Sequence, residues 1–342
     1  MKKVGYKIIS DNRTLLMGIS ILSIVFFHFV DSRYGAHYNY SGIYKYYGKY
    51  ISSAGVDVFM MLSSFGLYYS FKKNSDLKKF FYRRFTRILV PALLVIIPTY
   101  AWISIRNHSS FWTFLGSITF FNTFINGDIL FWFIPFICLC YLIFPILFNY
   151  IDSSKNKDEV FTRVLSLCLG LTLFCFLLYS SSPKLFDQYQ IMILRLLPFY
   201  VGLYLGYRSY HNEKFEYSDY FLMFFGLLFI RFNDNSIIIL RRYSLFFWFT
   251  SFLLICLIFL VKYFDKYKII QFFRKIIEWF GKHSLEIYLL HIAFRDRLSS
   301  LGIPVYRIRY FLMYFLLTII CVPILNFLTN KIQGLLDKKL KV

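Results

Sequence analysis

At 342 residues and 41.1 kDa the chain is long enough for about two soluble domains, yet 58% of it is hydrophobic and only 17% is charged. Soluble domains stay near about 45–50% apolar with about 25% charged residues, so a soluble globule and a disordered chain are both excluded. A mean hydropathy of +0.55 and repeated apolar runs of near membrane-spanning length indicate a polytopic membrane protein. The formal charge of +21, from 39 Lys and Arg against 18 Asp and Glu, would suggest nucleic acid in a soluble protein; in a membrane protein it first asks on which side the charge lies.

The first apolar run, 14–30, follows Lys2, Lys3, Lys7 and Arg13 and is expected to be a retained transmembrane helix, since no small-residue cleavage pattern follows it. Nine further spans are expected at 51–71, 88–105, 129–150, 161–180, 189–207, 217–232, 242–264, 284–299 and 309–330. The short apolar segment 111–124 is expected to be re-entrant or interfacial. The fold is therefore expected to be all-α, with about ten transmembrane helices. No fixed-period repeat and no long polar stretch marks off a second domain, so residues 1–342 are expected to form one integral membrane domain.

Ten spans put both termini on one side. The loops on that side hold 26 of the 39 Lys and Arg and the opposite loops hold 12, which places both termini in the cytoplasm and accounts for much of the charge without nucleic acid. The cysteines, Cys138, Cys140, Cys168, Cys175, Cys256 and Cys321, all fall in apolar runs, so they are expected to be small apolar residues rather than disulfides or metal ligands.

A charge near the bilayer centre costs at least ~2.5 kcal/mol, which singles out His28, Asp57, Arg195, Glu286 and His291. His28 lies fifteen residues beyond Arg13, roughly 22 Å up a path of ~30 Å. Asp57, on the next span running the other way, reaches a similar level, where a carboxylate can orient an imidazole and raise its basicity. The competing reading has Asp57 pair structurally with Arg195; spacing alone leaves both open. In the cytoplasmic loop 72–87 the lysines are explained by topology and anionic lipid. Arg84 and Arg87, three apart on one helical face, are suited to hold a phosphorylated donor. Gly202-x-x-x-Gly206 is a signal, weak alone, for close helix packing. There is no P-loop, G-x-G-x-x-G, G-x-S-x-G or H-E-x-x-H motif and no D-x-D pair, which lowers the weight of ATP-driven transport, lipase chemistry and metal-dependent glycosyl transfer.

Six segments in order resemble the acyltransferase-3 family of integral membrane acyltransferases, which includes O-acetyltransferases of bacterial surface polysaccharides. They are the helix from Gly18 to His28; Gly55-Val-Asp57 through Ser63-Ser64-Phe65; Arg83-Arg84-Phe-Thr-Arg87 before Pro91; Leu130-Phe-Trp132-Phe133 with Tyr141 and Pro145; Arg195 to Gly206; and Gly281-x-x-Ser284-Leu-Glu286-Ile-Tyr288-Leu-Leu-His291. The resemblance implies transfer of an acyl group, usually acetyl from cytoplasmic acetyl-CoA, to a hydroxyl of an extracytoplasmic or lipid-linked glycan at the cytoplasmic (inner) membrane. It implies a catalytic His28, and with the spacing it suggests His28 as general base, Asp57 as its orienter and Arg195 as stabiliser of the oxyanion or partner of Asp57. Arg84 and Arg87 would bind the donor. The family commonly carries a basic residue where Met17 stands, and Arg13, one turn earlier, is expected to replace it. Ser63, Trp132, Glu286, Tyr288 and His291 are expected to line the route. No metal and no tightly bound cofactor is expected, with acyl-CoA as co-substrate and proteins of polysaccharide synthesis as further partners. A transporter or exporter component for a surface polysaccharide is the alternative, with the buried charges lining a path.

Overall fold

A computed structural model describes residues 5–34, 54–217, 219, 250–264 and 267–340. Among the described residues all the regular elements are helices: α1 (Lys7–Asp11), α2 (Arg13–Tyr34), α3 (Ala54–Lys73), α4 (Leu77–Arg106), α5 (Phe111–Ile118), α6 (Phe121–Ile125), α7 (Phe133–Asp152), α8 (Lys157–Ser181), α9 (Pro183–Ile193), α10 (Leu196–Tyr210), α11 (Thr250–Phe264), α12 (Lys268–Lys282), α13 (Ser284–Ser300) and α14 (Ile308–Leu340). Six stretches among them are long and apolar enough to cross a membrane: those of α2, α4, α7, α8, α9 with α10, and α14. The chain is a multi-pass membrane protein. The expected span 217–232, apart from Tyr217 and Asp219, and residues 242–249 of the span 242–264 lie outside the described residues. α3 and α13 are helical where spans were expected, but α3 carries Asp57 and α13 has only 17 residues with several charges, so neither is among the six.

Contacts divide the chain into two compact units. The first comprises Met1–Ile24, Gly42–Ser75 and Phe144–Lys282; the second comprises Val25–Ser41, Asp76–Ile143 and His283–Val342. α2 and α7 each begin in one unit and end in the other.

In the first unit α3 packs extensively against α10. A Cβ at Gly202 would stand 2.0 Å from Ser64 Oγ and 2.1 Å from the Met61 carbonyl, and one at Gly206 would stand 2.8 Å from Tyr68 Cβ. The Gly202-x-x-x-Gly206 spacing thus removes side chains where two backbones meet. Around this seam Val58, Met61, Leu62 and Phe65 of α3 pack with Val201 and Leu205 of α10 and with Leu254 and Ile258 of α11.

The expected continuous span 189–207 is broken. α9 ends at Ile193, and Leu194 and Arg195 form a turn before α10. Pro198 has no N–H to give to Leu194, so the helix restarts with the proline in its first turn, where no intrahelical donor is missed. Arg195 consequently sits at a helix junction.

The stretch between the expected spans 242–264 and 284–299, one of the loops on the side of the termini, contains α12. Two faces of α12 are apolar or small. Across one of them the backbones of α12 and α2 nearly touch: a Cβ at Gly18 would stand 2.0 Å from the Ile277 carbonyl and one at Gly281 would stand 1.9 Å from the Thr14 carbonyl. The other leaves Ile269, Phe272, Phe273 and Ile276 exposed. Lys268, Lys275 and Lys282, seven residues apart in turn, mark the remaining edge.

In the second unit α13 packs against α14 and α4, and α4 also against α5 and α14. The segment 111–124 forms α5 and α6, both too short to cross a bilayer. Asn122 ties them together by donating to the Thr113 carbonyl at 2.9 Å and to Ser117 Oγ at 2.8 Å. α4 starts well before the expected residue 88, capped by Asp76, whose carboxylate accepts the Lys79 N–H at 3.1 Å. Arg83, Arg84 and Arg87 therefore lie on the helix itself.

Candidate active site

The second unit brings two of the predicted groups together. His28, in the last turns of α2, lies with its ring centroid 5.3 Å from that of His291 on α13. Arg295, one turn beyond His291, places Nη1 2.8 Å from His28 Nδ1. His291 is fully buried, and its Nδ1 lies 2.8 Å from the Ile287 carbonyl in the preceding turn.

These heavy-atom contacts fix where the ring protons reside. A guanidinium has donors and no acceptor, so His28 Nδ1 is the acceptor and its neutral ring carries the proton on Nε2. A carbonyl only accepts, so His291 Nδ1 carries that ring's proton and Nε2 holds a lone pair. That Nε2 is buried and has no hydrogen-bond partner among the described residues.

Aromatic rings surround the pair. Tyr288 lies 5.9 Å from His291 and 5.4 Å from Phe133, and Trp132 packs edge-on to Phe133 at 6.0 Å. Glu286 stands in the first turn of α13, where a carboxylate complements the helix dipole. Beyond Arg295 the helix carries Asp296 and Arg297. The Arg297 guanidinium covers the Trp102 ring at 4.4 Å, while Tyr100 donates to Asp128 at 2.7 Å. Elsewhere in this unit, half-buried Arg84 lies 5.8 Å from the Phe80 ring, and both Arg84 and Arg87 are within electrostatic reach of buried Tyr141.

The first unit holds the other predicted groups. Asp57, fully buried in the first turn of α3, pairs with Arg195 at 3.1 Å. The group at His28 Nδ1 is thus a guanidinium where the sequence suggested a carboxylate, and that carboxylate is paired with Arg195. Arg195 meets Asp57 from the junction between α9 and α10. Arg13 donates through Nε to the Leu62 carbonyl at 3.0 Å, and its guanidinium lies over Gly66, where a Cβ would stand 2.5 Å from Nη2. Ser63 is half-buried on α3. Lys72, assigned above to topology, grips Asp152 at 2.7 Å alongside the Tyr68 hydroxyl at 2.6 Å.

Arg295 is the residue that sequence reasoning missed, because it was counted among the extramembrane charges. The signal was present: Tyr288, His291 and Arg295 follow at spacings of three and four, which puts them on one helical face.

Residues 14–326 match the model of the acyltransferase-3 family, an acyltransferase domain. The chain belongs to the acyltransferase-3 family. That match runs through both units, and membership carries membrane acyltransferase activity in general terms. No curated protein and no solved structure matches the chain.

Proposed function

We propose that the protein is a membrane O-acyltransferase that moves an acyl group, acetyl in the simplest case, from cytoplasmic acyl-CoA to a hydroxyl of an extracytoplasmic or lipid-linked glycan in the cell's cytoplasmic membrane. The observation that carries this reading is the His28, Arg295 and His291 cluster, a set of proton-handling groups inside helices that the family match assigns to an acyltransferase. The hydroxyl oxygen attacks the thioester carbonyl, the carbon–sulfur bond breaks, and the hydroxyl proton finally resides on the released thiol of CoA. A thioester is activated enough for this without ATP.

Within the second unit, Arg84 and Arg87 are proposed to hold the phosphates of the donor, which suit paired guanidiniums. Trp132, Tyr288 and Glu286 are proposed to line the route to His28. In the first unit, Asp57 and Arg195 are proposed to set the packing of α3 on α10. Arg13, which donates through Nε to the Leu62 carbonyl, is proposed to take over the family's basic position. Both termini are proposed to be cytoplasmic, on the Lys and Arg asymmetry.

The test is acyl analysis of the surface glycan from cells with the protein, without it, and with His28→Ala. Loss of the acyl group in the last two, with the variant still inserted in the membrane, is expected. An acylated glycan that fails to reach the surface would instead favour the exporter reading.

A further inference from the structure

We infer that His291 is a catalytic residue, the group that takes the proton from the acceptor hydroxyl through Nε2, and that Arg295 is a positioning residue that keeps His28 a hydrogen-bond donor. The inference rests on the acyltransferase reading above and assigns its proton traffic.

A base must present a lone pair to the hydroxyl, within hydrogen-bond reach of its proton. The lone pair of His28 Nδ1 already accepts from Arg295 at 2.8 Å, and its Nε2 bears the proton. In this arrangement His28 has no lone pair to offer. His291 is the opposite case: Ile287 holds its Nδ1–H at 2.8 Å, which locks the tautomer, and Nε2 is left bare, buried and without a partner among the described residues. A buried acceptor left unsatisfied is costly, and a substrate hydroxyl is a group that would satisfy it.

The carboxylate, base and nucleophile of a hydrolase triad offer a useful contrast. There a carboxylate holds Nδ1–H of the imidazole, which leaves Nε2 free to take a proton. The Ile287 carbonyl does for His291 what that carboxylate does, while Arg295 does the reverse for His28. The two neighbouring rings are therefore poised for different work. The hydroxyl gives its proton to His291 Nε2 as its oxygen bonds to the thioester carbon. His28 Nε2–H then serves as a donor to the negative charge that develops on the carbonyl oxygen. When the carbon–sulfur bond breaks, the proton on His291 passes to the departing thiolate, giving free CoA and returning His291 to its starting state.

The experiment uses the full chain in proteoliposomes, acetyl-CoA labelled in the acetyl group, and glycan extracted from cells that lack the protein. His291→Asn keeps a donor near Nδ1 for the Ile287 carbonyl but has no counterpart of Nε2. It is expected to retain the thermal midpoint and the donor KM, to lose at least ~100-fold in kcat as general-base removal does, and to regain part of that rate with added imidazole. His28→Gln, which restores a donor near Nε2, is expected to retain more activity than His28→Ala. Arg295→Lys, still a cationic donor, is expected to retain more than Arg295→Met, with the loss in kcat rather than in donor KM. A His291→Asn variant that is folded and within a few-fold of the parent kcat overturns the inference. So does a loss that imidazole does not relieve, or equal inactivity of His28→Gln and His28→Ala. If the unaltered protein transfers no label at all, the acyltransferase reading itself falls with it, whereas activity that survives His291→Asn sinks the proton assignment alone.

Discussion

The Asp57 and Arg195 pair allows a quantitative prediction. Asp57 is fully buried and the Arg195 side chain is 10% exposed, with Nε 3.1 Å from Oδ1. Removing one partner of such a pair leaves a charge buried without its counter-ion and costs about 3–5 kcal/mol, whereas removing both leaves only modest packing and polar losses. Arg195→Gln is therefore expected to be more damaging than Asp57→Asn/Arg195→Gln. If ~1 kcal/mol moves the midpoint of a chain this size by about 2 °C, the single variant falls by ~6–10 °C and the double variant by under half of that. The assay is thermal unfolding of purified protein in detergent, run beside labelled acetyl transfer in proteoliposomes. Two activity outcomes follow from the same variants. If the pair only holds α3 to α10, activity returns with stability in the double variant. If Asp57 also acts in the chemistry, stability returns and transfer does not. An Arg195→Gln protein as stable as the parent, or a double variant at least as unstable as the sum of the singles, would refute the coupling.

Gly202→Ala is expected to destabilise by about 1–3 kcal/mol or more, as overpacking does, because the new Cβ would stand 2.0 Å from Ser64 Oγ and 2.1 Å from the Met61 carbonyl. Gly170→Ala on α8, where nothing lies within 4 Å of the built Cβ, is expected to be neutral or slightly stabilising; equal melting of the two variants contradicts the seam. Arg84→Ala and Arg87→Ala are each expected to raise KM for acetyl-CoA several-fold with little change for the acceptor, read from initial rates, and an unchanged donor KM in both would remove the donor assignment. Arg13→Ala releases the Leu62 carbonyl and is expected to lower both the melting midpoint and transfer. Met17→Arg is expected to be harmful too, because Met17 packs against the buried cluster around Leu16 and Met61; a fully active Met17→Arg protein would show that a basic residue is tolerated there after all.

The helical class, the small-residue seam and the buried polar groups were legible because each is written in local chemistry. A charge in an apolar run stands out wherever its partner is, and two glycines four apart mark a close approach whichever helix arrives. Partner identity was not legible. Spacing along α2 and α3 estimates height in a membrane but not rotation about the helix axis, so it offered Asp57 to His28, and the structure gives Nδ1 to Arg295. The α9–α10 break was readable from Pro198, had the apolar run not been taken as continuous. α12 was readable too: Ile269, Phe272, Phe273 and Ile276 repeat at helical spacing, but the basic residues between them made the stretch look like a loop.

The two buried polar groupings differ in charge balance, and that difference supports the proton assignment proposed for the second. In the pair of Asp57 and Arg195 opposite charges meet, so the desolvation of each is offset by the other. In the cluster of His28, Arg295 and His291 no carboxylate forms an ion pair with Arg295 among the described residues, and one ring nitrogen is left without a partner. Packing alone gives no return for such an arrangement, since apolar side chains of similar volume would be less costly there. A reaction does: it brings a hydroxyl to the bare nitrogen and a developing negative charge to the imidazole N–H and the guanidinium behind it. Electrostatic stabilisation of this kind is strongest where the groups are held in advance and water is excluded, and the fixed proton on His291 Nδ1 means that no tautomer has to be rearranged before the proton moves.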